Sequence, residues 1–398
     1  REGGGPLYYL NFSGDTYKLG GSSFAQVRGR VGSEAPTVKD AAYFRRAFET
    51  LQECMADGMV LAGHDVASGG LITTLLEACF PTPGMGADID LSPLGEPDTI
   101  RVLFAENAGV VIQAKNEKIE KVLQDRDLSF SRIGRVLDRP ELLLKNHRVS
   151  MGLNVEALRD TWYRTSYLMD RKQTAGDLAE ARYRNYKAQP LAYTFPKKFR
   201  GKLPEIKKPA GNRPKAAILR EKGSNSEREM AHALYLAGFD VKDVHMTDLI
   251  SGRETLEEVR FIGAVGGFSN SDVLGSAKGW AGAFKYNEKA RQALRNFFSR
   301  PDTLSVGICN GCQLFMELEL IHPDHETHGK MTFNDSHKHE SSFTSVRIGE
   351  NRSVMLSNLA GSTLGVWISH GEGKFCLPMD EDRYHIVATY GYEAYPAN

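Results

Sequence analysis

Leu304-Ser305-Val306-Gly307-Ile308-Cys309-Asn310-Gly311-Cys312-Gln313 reads as a short apolar strand, a glycine-flanked cysteine and the start of an apolar helix over 314–320. A sharp strand-to-helix turn needs small residues beside its central side chain, and Gly307 and Gly311 supply them. This is the form of a nucleophile elbow. A cysteine at a helix N-terminus faces free N–H groups and the positive end of the helix dipole, a setting in which thiols act as nucleophiles. The N–H of Asn310 points the same way and can help hold an oxyanion; Gly267-Phe268, ending an upstream strand, can offer a second donor.

Working outward, strands alternate with helices. Lys215-Ala216-Ala217-Ile218-Leu219, residues 239–244 and Phe261-Ile262-Gly263-Ala264-Val265 read as strands. Residues 225–237, closed by Gly238, and 286–299, with Ala290, Leu294 and Phe297 inward, read as helices. This alternation predicts a parallel, doubly wound α/β sheet with function at the carboxyl ends of its strands.

Cys309-x-x-Cys312 also has the spacing of a redox dithiol or half a zinc site, but Cys54, Cys79 and Cys376 are too scattered to supply a second pair. The competing classes are a thiol-disulfide protein using Cys309 and Cys312, and an interaction module in which Cys309 is inert. His322, His325, His328, His337 and His339 gather five of eleven histidines, the pattern of a polar loop or, alternatively, a metal site. At a rise of about 1.5 Å per residue, His322 falls roughly 20 Å from Cys309, too far to be its base. In Ser369-His370-Gly371-Glu372-Gly373, side chains two apart on a strand share a face. Spacing alone therefore names His370 the base and Glu372 its orienter.

The first half is patterned differently. Residues 38–56 place Ala41, Phe44, Phe48, Leu51 and Met55 on one helical stripe. Val60-Leu61-Ala62 leads into Gly63-His64-Asp65-Val66-Ala67-Ser68-Gly69-Gly70 and a helix over 71–80. Such a loop can present Asp65 to Mg²⁺ beside a nucleotide, or Asp65 can simply cap the helix. Gly20-Gly21-Ser22 could let backbone N–H groups approach a phosphate. Residues 100–104 and 110–113 read as strands, 117–126 as a helix and 154–189 as a long polar helical segment. An α+β domain with helices on one side of its sheet is expected.

Between the halves, residues 171–215 hold thirteen Lys or Arg and three Asp or Glu, and residues 190–214 hold five of the sixteen prolines. Proline removes backbone donors and fixes φ, so the expected division is a domain over 1–190, a linker over 191–214 and a second domain over 215–398. With 50 basic and 50 acidic residues, the chain lacks the charge excess of a nucleic-acid binder. No apolar run is long enough to span a membrane. Five cysteines among 398 residues suit a reducing cytoplasm better than a secreted disulfide scaffold. The opening Arg1-Glu2-Gly3 and closing Tyr395-Pro396-Ala397-Asn398 read as cuts within a longer polypeptide.

With these motifs in hand, the chain resembles the phosphoribosylformylglycinamidine synthase family in its large single-chain form. GGFSNSDVLGSAKGWAG (266–282), GICNGCQ (307–313) and SHGEG (369–373) match its class I, triad-type glutamine amidotransferase domain, of doubly wound, flavodoxin-like fold. GGSSFAQV (20–27), GHDVASGGL (63–71) and WYRTSYLMDR (162–171) match its last synthetase lobe, related to aminoimidazole ribonucleotide synthetase.

The resemblance implies that Cys309 attacks glutamine, that Gly267, Phe268 and Asn310 form the oxyanion hole, and that Gln313 and His370 line the pocket. It implies ATP and Mg²⁺ as cofactors, with Asp65 a metal ligand and Gly20, Gly21 and Ser68 near nucleotide or phosphate. It implies formylglycinamide ribonucleotide as acceptor and upstream synthetase domains as partners in the same polypeptide. The family takes its triad histidine and glutamate from a Pro-His-Pro-Glu motif beyond a stretch like 395–398, so on this reading His370 is not the base and the piece alone is expected to be inactive.

Overall fold

The computed structural model describes residues 5–188, 192–202 and 212–395. Much of the expected linker, with Pro190, Pro204 and Pro209, lies outside the described residues, as do Arg1-Glu2-Gly3 and Pro396-Ala397-Asn398. Contacts divide the chain into two compact units, residues 1–168 and 169–398. The division falls upstream of the proline-rich stretch because the segment that follows Leu168 is bonded into the second unit: Lys338 and Arg182 pair with Asp170, and Asn185 donates to the Tyr395 carbonyl at 2.6 Å.

The first unit is a seven-stranded sheet in the order Val60–Asp65, Gly109–Ala114, Leu7–Asn11, Phe130–Leu137, Gly86–Asp90, Glu141–Asn146, Val149–Asn154. All neighbours are antiparallel except Gly86–Asp90 and Glu141–Asn146. Successive side chains on a strand point to opposite faces. Tyr8, Leu10 and Ile112 pack on one face with Ala47, Leu51, Ile119 and Leu123, while Leu7, Tyr9 and Val111 pack on the other with Leu71, Leu75 and Val102. Helices therefore cover both faces rather than one, because the apolar strand Leu7–Asn11 needs cover on each.

Three local expectations change. Residues 100–104 are helical, not a strand, because the Asp98 carboxylate accepts the N–H groups of Ile100 and Arg101 and caps the helix Thr99–Phe104. The helix Ala41–Ala56 buries Ala47, Leu51 and Cys54, whereas Phe48 and Met55 are half exposed, so its inward stripe is rotated from the expected one. The long polar segment breaks into Val155–Asp170 and Leu178–Asn185 across Gly176 at φ +58°.

The second unit is built on four parallel strands in the order Asp240–His245, Lys215–Arg220, Val259–Ala264, Leu304–Gly307. This is a doubly wound order whose direction of progression reverses beside the first strand, where such folds place their sites. Ala217, Leu219, Ile262 and Ala264 bury one face under Trp280, Phe284, Leu294 and Phe297; Ala216, Ile218 and Phe261 bury the other under Leu234. Each of those large side chains contributes about 2–3 kcal/mol by leaving water. A separate sheet, unforeseen apart from the strand around His370, places Glu340–Ile348 between Thr363–His370 and Ala388–Tyr390.

Candidate active site

Cys309 occupies the turn between the strand Leu304–Gly307 and the helix Asn310–Glu317, at φ 54° and ψ −113°. A non-glycine residue holds such backbone only when its surroundings over-determine it. Here they do. A Cβ on Gly311 would lie 2.2 Å from the Ala264 carbonyl oxygen, and one on Gly307 would lie 2.6 Å from that of Gly311. On the next strand, a Cβ at Gly266 would come within 3.2 Å of the Cys309 Cβ, so bare backbone makes room for the thiol.

The exposed thiol donates to the Ser369 carbonyl at 3.5 Å. Three of the first four helix N–H groups are taken: Gly311 donates to Ile308, and Cys312 and Gln313 donate to Cys309. The Asn310 N–H is left without a protein acceptor among the described residues, as an oxyanion donor must be. The Asn310 side chain is buried, donates to Asp272 at 3.2 Å and to Gln313 at 3.1 Å, and accepts the Ser269 N–H at 3.3 Å. The loop that ends the neighbouring strand is thereby tied to the elbow.

Other expectations at this site are corrected. Phe268 donates its N–H to the Gly223 carbonyl at 2.9 Å, because residues 224–225 pair with Gly266–Gly267, so that donor is not free. Gln313 is buried, with its amide donating to the Glu372 carbonyl at 2.8 Å, and it braces the pocket from behind. The His370 ring bonds Asn334 at 2.9 Å, and Glu372 accepts the Ser276 N–H at 3.1 Å. The strand ends at His370, so the two side chains diverge and the pair read from spacing does not form. Burial, aided by the neighbouring His339, lowers the His370 pKa. His339, which the sequence placed only in a polar cluster, bonds the Ser369 hydroxyl at 3.0 Å and lies with its ring 5.9 Å from that of Phe268. Cys312 is largely buried, and burial together with Cys309 pushes its thiol up to about 11.

In the first unit the glycine loops are organised by a carboxylate that the sequence did not single out. Glu106 Oε1 accepts the N–H groups of Ser23 and Gly69, each at 2.8 Å. Two motifs separated by over forty residues thus meet on one oxygen. Gly20 and Gly21 spend their own N–H groups on the carbonyls of Glu34 and Val31, and a Cβ on Gly20 would lie 2.2 Å from the Glu34 oxygen. Close chain packing requires glycine at position 20, whereas Gly21, with open space around it, is set by its left-handed backbone at φ +75°. Ser68 is exposed beside Gly69.

A model described as the CobB/CobQ-like glutamine amidotransferase domain matches residues 213–392, and one described as the AIR synthase related protein, C-terminal domain, matches residues 11–145. A probable phosphoribosylformylglycinamidine synthase, chloroplastic/mitochondrial, of Arabidopsis thaliana is 35% identical over 99% of this chain, and the phosphoribosylformylglycinamidine synthase of Homo sapiens is 38% identical over 97%. This chain is similar to a portion of phosphoribosylformylglycinamidine synthases. It spans only 29% and 30% of the length of those two relatives. A solved structure of PurLQS from Thermotoga maritima aligns with 46% of this chain and 76% of its own, at 23% identity and a TM-score of 0.37.

The metal expectation in the first unit turns on the donors around Asp65. Asp65 ends the strand Val60–Asp65 with an exposed carboxylate 3.5 Å from His64 Nδ1. Among the described residues no group of three His, Cys, Asp or Glu could hold a metal. Asp65 therefore belongs to no ready-made three-donor set, and a magnesium held there would keep waters and take other oxygens from phosphates. In the histidine-rich loop, His322 and His325 stack at 4.8 Å with Tyr384 edge-on to both. No helix among the described residues is long and apolar enough to cross a membrane.

Proposed function

We propose that this chain supplies the glutaminase and the last synthetase lobe of a ligase that converts formylglycinamide ribonucleotide to formylglycinamidine ribonucleotide, in purine synthesis, at the expense of glutamine and ATP. The observation that carries this reading is the strained elbow at Cys309, with its thiol exposed and the Asn310 N–H unspent beside it.

The Cys309 sulfur attacks the side-chain amide carbon of glutamine, and the charge that develops on the amide oxygen is met by the Asn310 N–H. Collapse breaks the C–N bond; the nitrogen leaves as ammonia, having gained the thiol's proton, and a glutamyl thioester remains. Water then releases glutamate. The Ser369 carbonyl accepts the thiol hydrogen before attack, and on the family resemblance the base that removes it is a group other than His370. Ammonia passes internally to the synthetase site, where ATP activates the formamide oxygen of the substrate and ADP and phosphate are released. Bound Mg²⁺ would neutralise phosphate charge there, with Asp65 offering one oxygen. Upstream synthetase domains complete that site. A reducing compartment such as the cytoplasm fits the five free cysteines.

The thiol-disulfide reading is the weaker one. A resolving Cys312 thiol pushed up to about 11 is a poor source of thiolate. Peptide mass mapping after exposure to a glutamine-mimicking alkylator decides between them. A single Cys309 adduct, suppressed by glutamine, is expected. A Cys309–Cys312 disulfide instead would establish the redox reading, and an unreactive Cys309 would leave neither.

A further inference from the structure

The second unit buries a charge-balanced cluster that the glutaminase chemistry above does not use. Glu340 is wholly buried and accepts from the Arg182 guanidinium and the Tyr395 hydroxyl. Arg182 also donates to that hydroxyl at 2.7 Å and lies over the Tyr395 ring, 4.8 Å from its centre. Its Nε is 3.6 Å from Asp170, which accepts from Lys338 as well and from the Thr174 hydroxyl at 2.7 Å. Two cations and two anions from two separate stretches, 170–182 and 338–340, meet in one place with the hydroxyl of Tyr395.

That place lies next to the nucleophile. Glu340 stands opposite His370 in the antiparallel register, and Ser341 opposite Ser369, whose carbonyl receives the Cys309 thiol. Between cluster and elbow sits Asn334, fully buried. It donates to the carbonyls of Lys338 and His370 and accepts from the His370 ring and the Gly373 N–H. The turn over 334–340 is therefore anchored twice, to the pocket rim through Asn334 and to the helix Leu178–Asn185 through Glu340. Burying ions is costly unless each is paired, so such a cluster tolerates only one arrangement of its strands. A one-residue slip of Glu340–Ile348 would turn Glu340 to the opposite face and leave its partners unpaired.

We infer that Arg182 and Glu340 are positioning residues for the Cys309 pocket: by fixing the register of Glu340–Ile348 against Thr363–His370, they hold the Ser369 carbonyl and the His370 edge where glutamine must bind. Arg182 thus belongs functionally with the glutaminase, although in sequence it precedes the proline-rich stretch. The inference rests on the glutaminase reading.

The test compares the wild-type chain with the double variant R182M/E340Q, which removes the pair without leaving a lone buried charge. Two rates are read at Cys309: general alkylation by iodoacetamide, and alkylation by the glutamine-mimicking reagent over a range of competing glutamine. The expected result is a folded variant whose iodoacetamide rate stays within about twofold of wild type while the glutamine needed for half-protection rises at least about tenfold, the scale on which small displacements near a reacting centre act. Unchanged protection would overturn the positioning role. An absence of glutamine protection in the wild type itself would remove the glutaminase reading and the inference with it. Should the double variant fail to fold, Y395F decides: it keeps the ion pair and loses one hydroxyl, so half-protection should shift about threefold, the effect of one modest hydrogen bond. Wild-type protection in Y395F would then sink the proposal.

Discussion

The Cβ of Cys309 sits where a Cβ on Gly266 would lie 3.2 Å away, so the bare backbone of one strand end sets the space for the side chain on the next. The main chain of Gly266–Gly267 is paired with residues 224–225 and cannot retreat freely. An added methyl must therefore displace the thiol. In G266A we expect a loss of stability of about 1–3 kcal/mol, as for other overpacked sites, but a fall of at least about tenfold in Cys309 alkylation. Alkylation kinetics beside thermal melting measure the two separately; equal reactivity would mean that Gly266 is not part of the pocket wall.

Gly311 presents a harder obstacle. Its Cβ would meet backbone, the Ala264 oxygen at 2.2 Å, and neither the strand nor the elbow can shift without opening the core beneath Leu314 and Trp280. G311A should destabilise the second unit by roughly 3 kcal/mol or more, the range reserved for strain and overpacking in a core. Denaturant titration followed by tryptophan fluorescence checks this, and a midpoint unchanged within error would show that the elbow is looser than its geometry.

Glu106 gives a contrasting case, where electrostatics rather than space is at stake. Its single oxygen satisfies the Ser23 and Gly69 N–H groups, and E106A would leave both donors facing one another without an acceptor. The expected cost is about 1–3 kcal/mol for each donor that stays buried, less where water enters. An anion should then restore what the carboxylate supplied: sulfate ought to raise the melting temperature of E106A by several degrees more than that of the wild type. Equal sulfate responses would show that the two loops do not form an anion seat. G20A should destabilise the first unit in either background, because its obstacle is the Glu34 carbonyl.

The elbow was legible because its requirement is local: glycine on both sides of a cysteine, between an apolar strand and an apolar helix, admits few other geometries. The central strands Lys215–Arg220 and Val259–Ala264 were legible for a similar reason, their apolar runs being nearly continuous. What escaped notice depends on partners far away in the chain. Glu106 looks like any surface acid until Ser23 and Gly69 are brought to it. Residues 100–104 look like a strand until Asp98 caps them as a helix. His370 and Glu372 share a face only if the strand continues, and it stops at His370. Asn334 and Arg182 carry no motif at all; the burial and four side-chain bonds of the one and the buried carboxylate paired with the other single them out, and those are tertiary facts.

Acid should expose the Arg182–Glu340 cluster more directly than any single substitution. Burial alone would raise the Glu340 pKa, but the Tyr395 and Ser336 hydroxyls and the Arg182 guanidinium outweigh it and hold the carboxyl below its usual range. Asp170 is lowered in the same way, with Lys338, Thr174 and Arg182 outweighing burial. The unfolded chain, whose carboxyls titrate near their ordinary values of about 4, therefore binds protons at a pH where the folded chain does not. The stabilisation from these two groups is complete above that ordinary range and is lost as pH falls through the lower folded values. Within that window each group adds a slope of up to about 1.4 kcal/mol per pH unit. The second unit should melt at steadily lower temperature as pH drops below about 4.5, and R182M/E340Q should show a shallower decline because Glu340 no longer contributes and Asp170 has lost one cation. Calorimetry of both proteins from pH 3 to pH 6 makes the comparison. Parallel declines would mean that the cluster takes up no protons on unfolding, and that its charges are not held as the geometry requires.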